Sequence, residues 1–586
     1  MEFEQKAEEK KMSMSKNIAR LAVTAGLTAA LSFGGVMAPV TMAFAAEGAA
    51  TTTNSIKINK NNENGDVTYK AYQIFKADVV DGTDGSGKVV SNIDWASPKA
   101  KDAVLNYLSH VPNSGITLSS SAQAAAKYLT DHVDGTGETT PIENDNLFNG
   151  LAKEVVKSVD QTGSSFTTDD VFKPQDDKGN ALQGYYLFVT DESTLSTDQE
   201  VKKNTGTSPI FAVVGDALVT VTEKTSIPTV VKKVRNDNGS DWADKADSQM
   251  GQKVEYKLTG SVASNIATFD TYHYEFSDKL SGGLTADGSS VVVKIGDTIL
   301  SRNTTSGAKT GYDVSIDRAT NTLTVKFADL KAAAKQASAA LDGSSNVVVT
   351  YTAMLDPMKA ANVTVGDTGN DNAVKLIYSN NPMGEGTGES VPDTVRDYTY
   401  ALELIKQDAD SDTTKIDNVE FTIQATDPDD ADSKDMYVGS EGTLVNKAYK
   451  FKTANGGKIN VKGLDAGTYT VHEVEGSNPG YNTLEDFTFT IKPEGLNKDE
   501  GVALDEKTAV NTLKVTVQKP DSATMVTPSV DGGTVTLTVK NKKGSGLPLT
   551  GLNGVTFTWI AGGAVLCIGV AHLIRSRKQA EESEQE

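Results

Sequence analysis

Runs in which every second residue is apolar recur along most of this chain, and they constrain its fold more than any other feature. In the run Tyr398–Lys406, the apolar side chains at alternate positions would share one face of an extended strand. Gly and Asp separate many of these runs, as they do at turns between strands. The pattern therefore predicts a mainly β fold.

Four segments depart from this alternation and repeat their apolar residues at helical spacing. The predicted helices are Ala100–Val111, Ala122–His132, Asn146–Val159 and an alanine-rich helix near Phe327–Leu341. Three of them lie in the first part of the chain, which predicts an α+β N-terminal domain followed by domains made mostly of strands.

At 586 residues the chain is too long for a single hydrophobic core, because domains usually contain about 100–200 residues. We predict a leader and signal peptide at 1–45, an N-terminal domain at 46–225, a middle domain at 226–397, a C-terminal domain at 398–543, and a linker, sorting signal, membrane span and basic tail at 544–586. The three domains are called the first, middle and third regions below.

The N-terminal segment has the composition of a secretory signal peptide. Lys16 and Arg20 precede the apolar stretch Leu21–Val36, and Ala43–Ala45 fits the small-x-small pattern that signal peptidase recognises. We expect cleavage at the end of that pattern. The charged leader Met1–Lys11 is interpreted as a misassigned start or an expression scar.

The C-terminal segment combines three features of a surface-anchored protein. The first is the motif Leu547, Pro548, Leu549, Thr550 and Gly551. An apolar stretch, Val555–Ile574, is long enough to cross a membrane, and a basic tail follows it. This order resembles the LPXTG cell-wall sorting signal of sortase substrates.

That resemblance implies an acyl transfer at the motif. A sortase cysteine would attack the Thr550 carbonyl, Gly551 would leave, and an amine would resolve the thioester. The membrane span would be lost together with Cys567, which is the single cysteine of the chain. No intrachain disulfide is possible, although exported proteins often rely on disulfides, so we expect another stabilising device.

Three polar residues in the third region continue inward-facing apolar stripes. Lys406 follows Tyr400, Leu402 and Leu404 at strand spacing, Glu473 follows Tyr469 and Val471, and Asn541 follows Val535, Leu537 and Val539. A buried lysine or glutamate must be paired or take part in chemistry, because burial of a lone charge is costly. The alternative is that each residue ends its strand and turns to solvent.

The middle region repeats this pattern. Lys232 shares a face with valines, whereas Lys233 lies on the opposite face, so Lys232 is the better candidate nucleophile. Asp278 continues an aromatic stripe and is the candidate helper carboxyl. Asn372 and Asn380 share one face, and strand parity does not choose between them.

Several segments resemble the major pilins of Gram-positive bacteria. They are Tyr69–Phe75 in the first region, Pro228–Val234, Phe276–Leu284 and Asn372–Pro382 in the middle region, and Gly467–Glu473 and Pro479–Tyr481 in the third region. The middle region is similar to the fimbrial isopeptide-forming domain, and the third to the collagen-adhesin B-type domain. The resemblance implies tandem immunoglobulin-like β-sandwich domains after the α+β N-terminal domain.

The same resemblance implies an isopeptide bond within each of these two domains. A lysine amine would attack an asparagine side-chain amide, and a carboxyl group would assist. The implied sets are Lys232, Asp278 and Asn372 in the middle region, and Lys406, Glu473 and Asn541 in the third region. Asn372 fits the family position better than Asn380 does.

A pilus shaft also needs a lysine that accepts the Thr550 acyl group of another subunit. In major pilins this lysine closes a Val-x-Val-Tyr-Pro-Lys motif, and the matching stretch here ends at Lys224. Thr222 and Glu223 replace the Tyr-Pro pair. Lys224 is therefore the predicted acceptor, and the alternatives are an ordinary linker lysine there, or acceptance by Lys202 or Lys203.

The sequence thus predicts a secreted, cell-wall-anchored shaft subunit of a surface pilus, with a wall-anchored adhesin or a minor pilin as the alternative. The expected partners are a sortase, further copies of the chain, peptidoglycan, and possible minor pilins or host ligands. The net charge of −22 disfavours nucleic acid and anionic lipid. Scattered histidines without metal-ligand spacing favour neither an enzyme nor a metal or other cofactor.

Overall fold

The computed structural model describes residues 53–61, 64–81, 88–132, 143–195, 204–223, 225–236, 241–366, 368–428, 430–494, 514–518 and 524–544. The predicted signal peptide, the sorting motif Leu547–Gly551 and the predicted span Val555–Ile574 lie outside these residues. Within the described ranges, no helix is long and apolar enough to cross a membrane.

The four helices form where the spacing predicted them. They are α1 (Pro98–Ser109), α2 (Ala122–Asp131), α3 (Leu147–Ser158) and α4 (Leu330–Ala337). Each begins after a Ser, Asn or Asp whose side chain accepts a hydrogen bond from a first-turn amide. The alanine-rich helix α4 is shorter than its segment because Asp329 caps its start and Ser338, at φ 58°, ends it in the left-handed conformation.

The first region contains two sheets and the helices α1 to α3. Its strands are β1 (Ile56–Asn59), β2 (Thr68–Asp81), β3 (Lys88–Trp95), β4 (Phe166–Thr167), β5 (Val171–Phe172), β6 (Gly184–Thr190), β7 (Ile210–Val214) and β8 (Val219–Thr222). The helices pack on the sheet β3-β2-β6-β7, and a second core lies between that sheet and the sheet β5-β1-β8. The predicted α+β character is confirmed.

The middle region is a sandwich of two sheets. Its strands are β9 (Val230–Arg235), β10 (Trp242–Ala243), β11 (Lys245–Asp247), β12 (Lys253–Ser261), β13 (Tyr274–Leu280), β14 (Leu284–Ile295), β15 (Thr298–Ile299), β16 (Asp313–Asp317), β17 (Thr322–Phe327), β18 (Asn346–Leu355), β19 (Asn370–Ser379), β20 (Thr387–Glu389) and β21 (Asp393–Tyr398). One sheet has the order β10-β9-β12-β18-β14-β15, and the other has β11-β21-β19-β13-β17-β16 with β20 beside β19. Alternate side chains of both sheets fill one core.

The third region is a second sandwich. Its strands are β22 (Tyr400–Asp408), β23 (Ser411–Lys415), β24 (Glu420–Pro428), β25 (Tyr437–Val438), β26 (Leu444–Val445), β27 (Phe451–Lys452), β28 (Lys458–Leu464), β29 (Gly467–Glu473), β30 (Phe487–Glu494), β31 (Lys514–Gln518), β32 (Val526–Asp531) and β33 (Thr534–Asn541). The sheet β23-β22-β33-β32, with β28 beside β22, faces β26-β25-β24-β29-β30-β31, with β27 beside β24. The mainly β fold predicted from the alternation is confirmed.

The middle and third regions are joined with almost no linker. Only Thr399 separates β21 from β22, and its side chain donates a hydrogen bond to the backbone oxygen of Leu464 at 2.9 Å. The Tyr400 hydroxyl donates to Asp247 at 3.0 Å across the same junction. The two sandwiches are therefore held together by buried polar contacts as well as by the chain itself.

Candidate cross-linking sites

The first candidate site lies inside the middle region, between its two sheets. Lys232 projects from β9, and Asp278 and Asn372 project from β13 and β19 of the facing sheet. All three side chains are excluded from solvent. Lys233, on the other face of β9, forms an ion pair with Asp244 at 2.7 Å instead. Strand parity thus identified the lysine that enters the core.

Backbone pairing fixes the spacing of this site. In the antiparallel pair β13–β19, Asp278 lies opposite Val374, and Asn372 lies opposite Leu280. Asp278 and Asn372 are therefore diagonal neighbours on one face, a separation that only long side chains span directly. The Lys232 amide also donates to Asp393 at 2.6 Å, which ties β9 to the facing sheet.

A tyrosine that the sequence analysis did not single out completes the site. The Lys232 amine donates a hydrogen bond to the Asp278 carboxylate, and the Tyr351 hydroxyl donates to its other oxygen at 2.6 Å. The Asn372 side-chain nitrogen donates to the same hydroxyl at 2.8 Å. Tyr351 lies on β18 of the lysine-bearing sheet, where it alternates with apolar neighbours as an ordinary core residue would.

Burial changes the ionisation of the lysine. Loss of solvent lowers the pKa of Lys232 to about 8, although the nearby Asp278 and Asp393 oppose this change. The neutral amine, which is the nucleophilic form, is therefore far more accessible at neutral pH than for a lysine in water.

The alternative acceptor, Asn380, lies elsewhere. It follows the far end of β19, and its side-chain nitrogen donates to the backbone oxygen of Asn204 in the first region at 3.3 Å. Its own backbone oxygen accepts from Gly206 at 2.6 Å. Asn380 is thus buried in the contact between two regions, and of the two asparagines it is Asn372 that lies beside the Lys232 cluster.

The second candidate site lies inside the third region. Lys406 on β22 and Asn541 on β33 belong to one sheet, and Glu473 on β29 belongs to the facing sheet. The parallel pairing places Lys406 opposite Val539 and Asp408 opposite Asn541, so Lys406 and Asn541 are two residues apart in register. All three side chains are buried, as the continued apolar stripes predicted.

Here the carboxylate contacts both the lysine and the asparagine directly. Lys406 donates hydrogen bonds to the Asn541 side-chain oxygen and to Glu473, the latter at 3.1 Å. The Asn541 side-chain nitrogen lies 2.7 and 2.9 Å from the two oxygens of Glu473. The same nitrogen donates to the backbone oxygen of Asn482 at 2.8 Å, which fixes the orientation of the amide.

The lysine of this site is perturbed in the same direction. Burial lowers the pKa of Lys406 to about 8, and Glu473 opposes the change. The amine also lies 5.5 Å from the centre of the Phe421 ring, so an apolar wall completes its surroundings. Each of the two cores thus holds a lysine, a carboxyl group and an asparagine. In the third region the three groups are in direct contact, and in the middle region the Tyr351 hydroxyl links the carboxyl group to the asparagine.

The predicted acceptor Lys224 and its alternatives Lys202 and Lys203 lie outside the described residues, as does Thr550. The strand before Lys224, β8, pairs in parallel with β1. Its neighbour Glu223 has a role that the motif comparison missed. Glu223 is buried and accepts hydrogen bonds from the Tyr69 hydroxyl at 2.5 Å and from the Asn61 amide at 3.1 Å.

Burial raises the pKa of Glu223, while its hydrogen bonds to Tyr69 and its other partners oppose the rise.

The carboxyl group of Asp408, the last residue of β22, is paired with neighbouring side chains. It lies 3.3 Å from the Lys543 amine and accepts a hydrogen bond from the Tyr481 hydroxyl at 2.9 Å. Among the described side chains, no group of three or more His, Cys, Asp or Glu residues is arranged to hold a metal ion.

Comparison with known proteins agrees with the β architecture of the third region. The SpaA family model, described as a prealbumin-like fold domain, matches residues 401–503. This range includes Lys406 and Glu473 and ends before Asn541. A search of curated proteins finds no match to the chain.

Three of the similar solved structures illustrate the low identity that they share with this chain. The T6 backbone pilin of Streptococcus pyogenes is 15% identical with a TM-score of 0.47, over 85% of this chain and 100% of that one. The full-length major pilin SpaD from Corynebacterium diphtheriae is 15% identical with a TM-score of 0.43, over 84% and 98% of the two chains. BcpA, the major pilin subunit of Bacillus cereus, is 17% identical with a TM-score of 0.35, over 65% and 92%.

Proposed function

We propose that this chain is the repeating shaft subunit of a covalent surface pilus, cross-linked within two regions by lysine–asparagine isopeptide bonds. The observation that carries the proposal is the pair of buried clusters, each with a lysine, a carboxyl group and an asparagine. Such groups are rarely buried together without a chemical purpose, because an unpaired buried charge is costly. Two such clusters in separate cores argue for a shared reaction.

The proposed reaction is the same in both regions. The neutral side-chain nitrogen of Lys232 or Lys406 attacks the side-chain carbonyl carbon of Asn372 or Asn541. A carbon–nitrogen bond forms, the bond to the amide nitrogen breaks, and that nitrogen leaves as ammonia with one hydrogen taken from the lysine. The protonated carboxyl group polarises the amide and moves the proton.

The benefit of these bonds is mechanical. Each would close a long loop of the chain and remove entropy from the unfolded state, which stabilises the fold by roughly 3–5 kcal/mol if the bond acts as a disulfide closing a long loop does. Unlike a disulfide, an amide bond is not broken by reduction. Segments enclosed by such a bond would not extend when the fibre is pulled.

Between subunits, the proposed linkage joins Lys224 of one chain to Thr550 of the next, with a sortase as the enzyme. The mature subunit would run from about Ala46 to Thr550 and end up at the cell surface, attached to peptidoglycan through the pilus base. Lys224 and Thr550 belong to opposite parts of the sequence. Head-to-tail joining of such distant sites gives an open fibre and not a closed ring.

The polymer is tested by the variant Lys224→Arg expressed in the native host. An arginine keeps the charge but remains protonated and is a far poorer nucleophile. We expect the high-mass ladder of the unmodified strain to disappear on a denaturing gel, while monomer remains on the wall; Lys178→Arg is the matched control. A ladder that persists would exclude Lys224, and an unmodified strain without any ladder would favour an adhesin or a minor pilin.

The internal bonds are tested by intact mass. The unmodified chain should weigh about 17 Da less per bond than the mass calculated from its termini, because each bond releases one ammonia. Peptides joining Lys232 to Asn372 and Lys406 to Asn541 should be recovered after digestion. A chain at its full calculated mass would refute the cross-links.

A further inference from the structure

The two sites differ in how the carboxyl group reaches the amide. In the third region, Glu473 contacts the Asn541 amide with both of its oxygens. In the middle region, the shorter Asp278 makes no hydrogen bond to Asn372 within the described residues, and the Tyr351 hydroxyl lies between them. A hydroxyl is both a donor and an acceptor, so it can connect an acid to an amide that the acid does not touch.

We propose that Tyr351 is a catalytic residue of the middle-region cross-link, in which it relays a proton from Asp278 to the leaving nitrogen of Asn372. This role rests on the proposed cross-link. The hydroxyl is 2.6 Å from one Asp278 oxygen, 2.8 Å from the Asn372 side-chain nitrogen and 3.3 Å from the Lys232 amine. It therefore touches each of the groups whose protons must move.

The proton balance follows from these contacts. In the reactive form, the acid proton of Asp278 is on the oxygen that faces Tyr351, so this oxygen donates to the Tyr351 hydroxyl and the hydroxyl turns toward Asn372, while the Lys232 amine is neutral. As the amine attacks Asn372, its nitrogen gives one proton to the other Asp278 oxygen. Asp278 gives its first proton to the Tyr351 oxygen, and Tyr351 gives its own to the departing nitrogen. The products are the amide and ammonia; Tyr351 is again a neutral hydroxyl, and Asp278 is again protonated, now on the oxygen that faces Lys232.

Placement of the hydroxyl is well determined by packing. Tyr351 is 2% exposed, and its ring stacks on the ring of Tyr256 with centroids 5.3 Å apart. The Lys232 amine lies near the faces of both rings, at 5.4 Å from Tyr256 and 5.7 Å from Tyr351. Tyr256 is therefore a matched control, since it shares the ring stack but donates no hydrogen bond to Asp278.

The test is a time course of ammonia loss in the full chain, sampled after cell-free synthesis and assigned to each region by peptide mapping. Tyr351→Phe keeps the ring and removes the hydroxyl, and we expect it to slow the middle-region bond by about 10²–10⁴-fold, the range for general acid–base catalysis. The third-region bond in the same molecules should form at its normal rate, which reports that synthesis and the assay are unaffected and that the third region has folded. Tyr256→Phe should leave both rates unchanged.

A second variant separates catalysis from packing. In the double variant Tyr351→Phe with Asp278→Glu, the longer carboxyl group can reach Asn372 directly, as Glu473 reaches Asn541, and the middle-region bond should be restored. Tyr351→Phe reacting at the normal rate, or Tyr256→Phe showing the same deficit, would overturn the relay while leaving the cross-link intact. An unmodified chain that never loses the middle-region ammonia would refute the cross-link itself, and the relay with it.

Discussion

The middle and third regions bury the same three kinds of side chain, a lysine, a carboxyl group and an asparagine, in different geometry. In the middle region the lysine and asparagine face each other from opposite sheets, and the carboxyl group lies on the strand next to the asparagine. In the third region the lysine and asparagine lie on neighbouring parallel strands, and the carboxyl group reaches across from the other sheet. The carboxyl group therefore approaches the asparagine from a different sheet in each region, whereas both lysines are buried in an apolar core.

The length of the acidic side chain matches its position in each of the two sites. Glu473 must cross the sandwich and contacts the amide itself. Asp278 is a diagonal neighbour of Asn372 and is connected to it through Tyr351. Both lysines have their pKa lowered to about 8 by burial, so the amine is prepared in the same way in both cores.

The largest effect is expected when the acid is removed from either site. In Asp278→Ala and in Glu473→Ala, the measured intact mass should lie about 17 Da closer to the mass calculated for that variant, because one bond is lost, and the stability of the affected region should fall by roughly 3–5 kcal/mol. The measurements are intact mass and thermal unfolding. Asp486→Ala, which removes an exposed carboxyl group beside His472, is the control and should change neither. A bond that still forms without its acid would remove that acid from the mechanism.

A smaller effect is expected when the acid of the third region is shortened. Glu473→Asp moves the carboxyl group back by one methylene, and the neighbouring ring is Phe421, which has no hydroxyl to bridge the gap. We expect the third-region bond to form about 10²-fold more slowly, at the lower end of the range for acid–base catalysis. The time course of ammonia loss measures it, with Glu475→Asp on an exposed turn as the control. An unchanged rate would mean that acid length is irrelevant in this region.

The rates of bond formation at the two sites should depend on pH in the same way. Both lysines have a pKa of about 8, so the neutral amine becomes more abundant as pH rises toward 8 and levels off above it. With the helper carboxyl group protonated throughout, each rate should increase about fivefold between pH 7 and 8, as the neutral fraction of the amine does. Peptide mapping of samples quenched at each pH gives both rates from one chain. Two rates that do not vary with pH would contradict attack by a titrating amine.

The smallest effect concerns the first region, where Glu223 is buried without a lysine among its hydrogen-bonding partners in the described residues. Burial raises its pKa, so the folded chain binds a proton more readily than the unfolded chain does. Stability should therefore fall as pH rises from the unfolded value through the folded one.

Glu223→Gln removes this titration and keeps the shape of the side chain. It should make the free energy of unfolding less dependent on pH in the acidic range. At neutral pH, the free energy of unfolding should change by about 1 kcal/mol, which is the size of one buried hydrogen bond. Urea unfolding at several pH values measures it, and Glu192→Gln on a surface turn is the control. Matching profiles for Glu223→Gln and the unmodified chain would show that Glu223 stays ionised in the fold.

Strand parity predicted which side chains are buried, because period two in a strand fixes the face on which a residue lies. It distinguished Lys232 from Lys233 and placed Lys406 and Asn541 in a core. Strand parity could not choose between Asn372 and Asn380, since both share a face. The two residues lie near opposite ends of β19, and only the pairing of that strand with its neighbours decides which of them is beside Lys232. Tyr351 was missed because an inward tyrosine has the same pattern whether it packs or carries a proton.

The parallel pairing of β22 with β33 has a consequence for how the third region responds to tension. The chain enters this region through the start of β22 and leaves through the end of β33, and the two strands are paired along Ala401–Asp408. Because the strands are parallel, pulling on the two ends slides them in opposite directions. Their hydrogen bonds are then strained together in shear and do not open one after another like a zipper. The sandwich should therefore resist extension as a clamp even in a chain in which Lys406 and Asn541 are not joined.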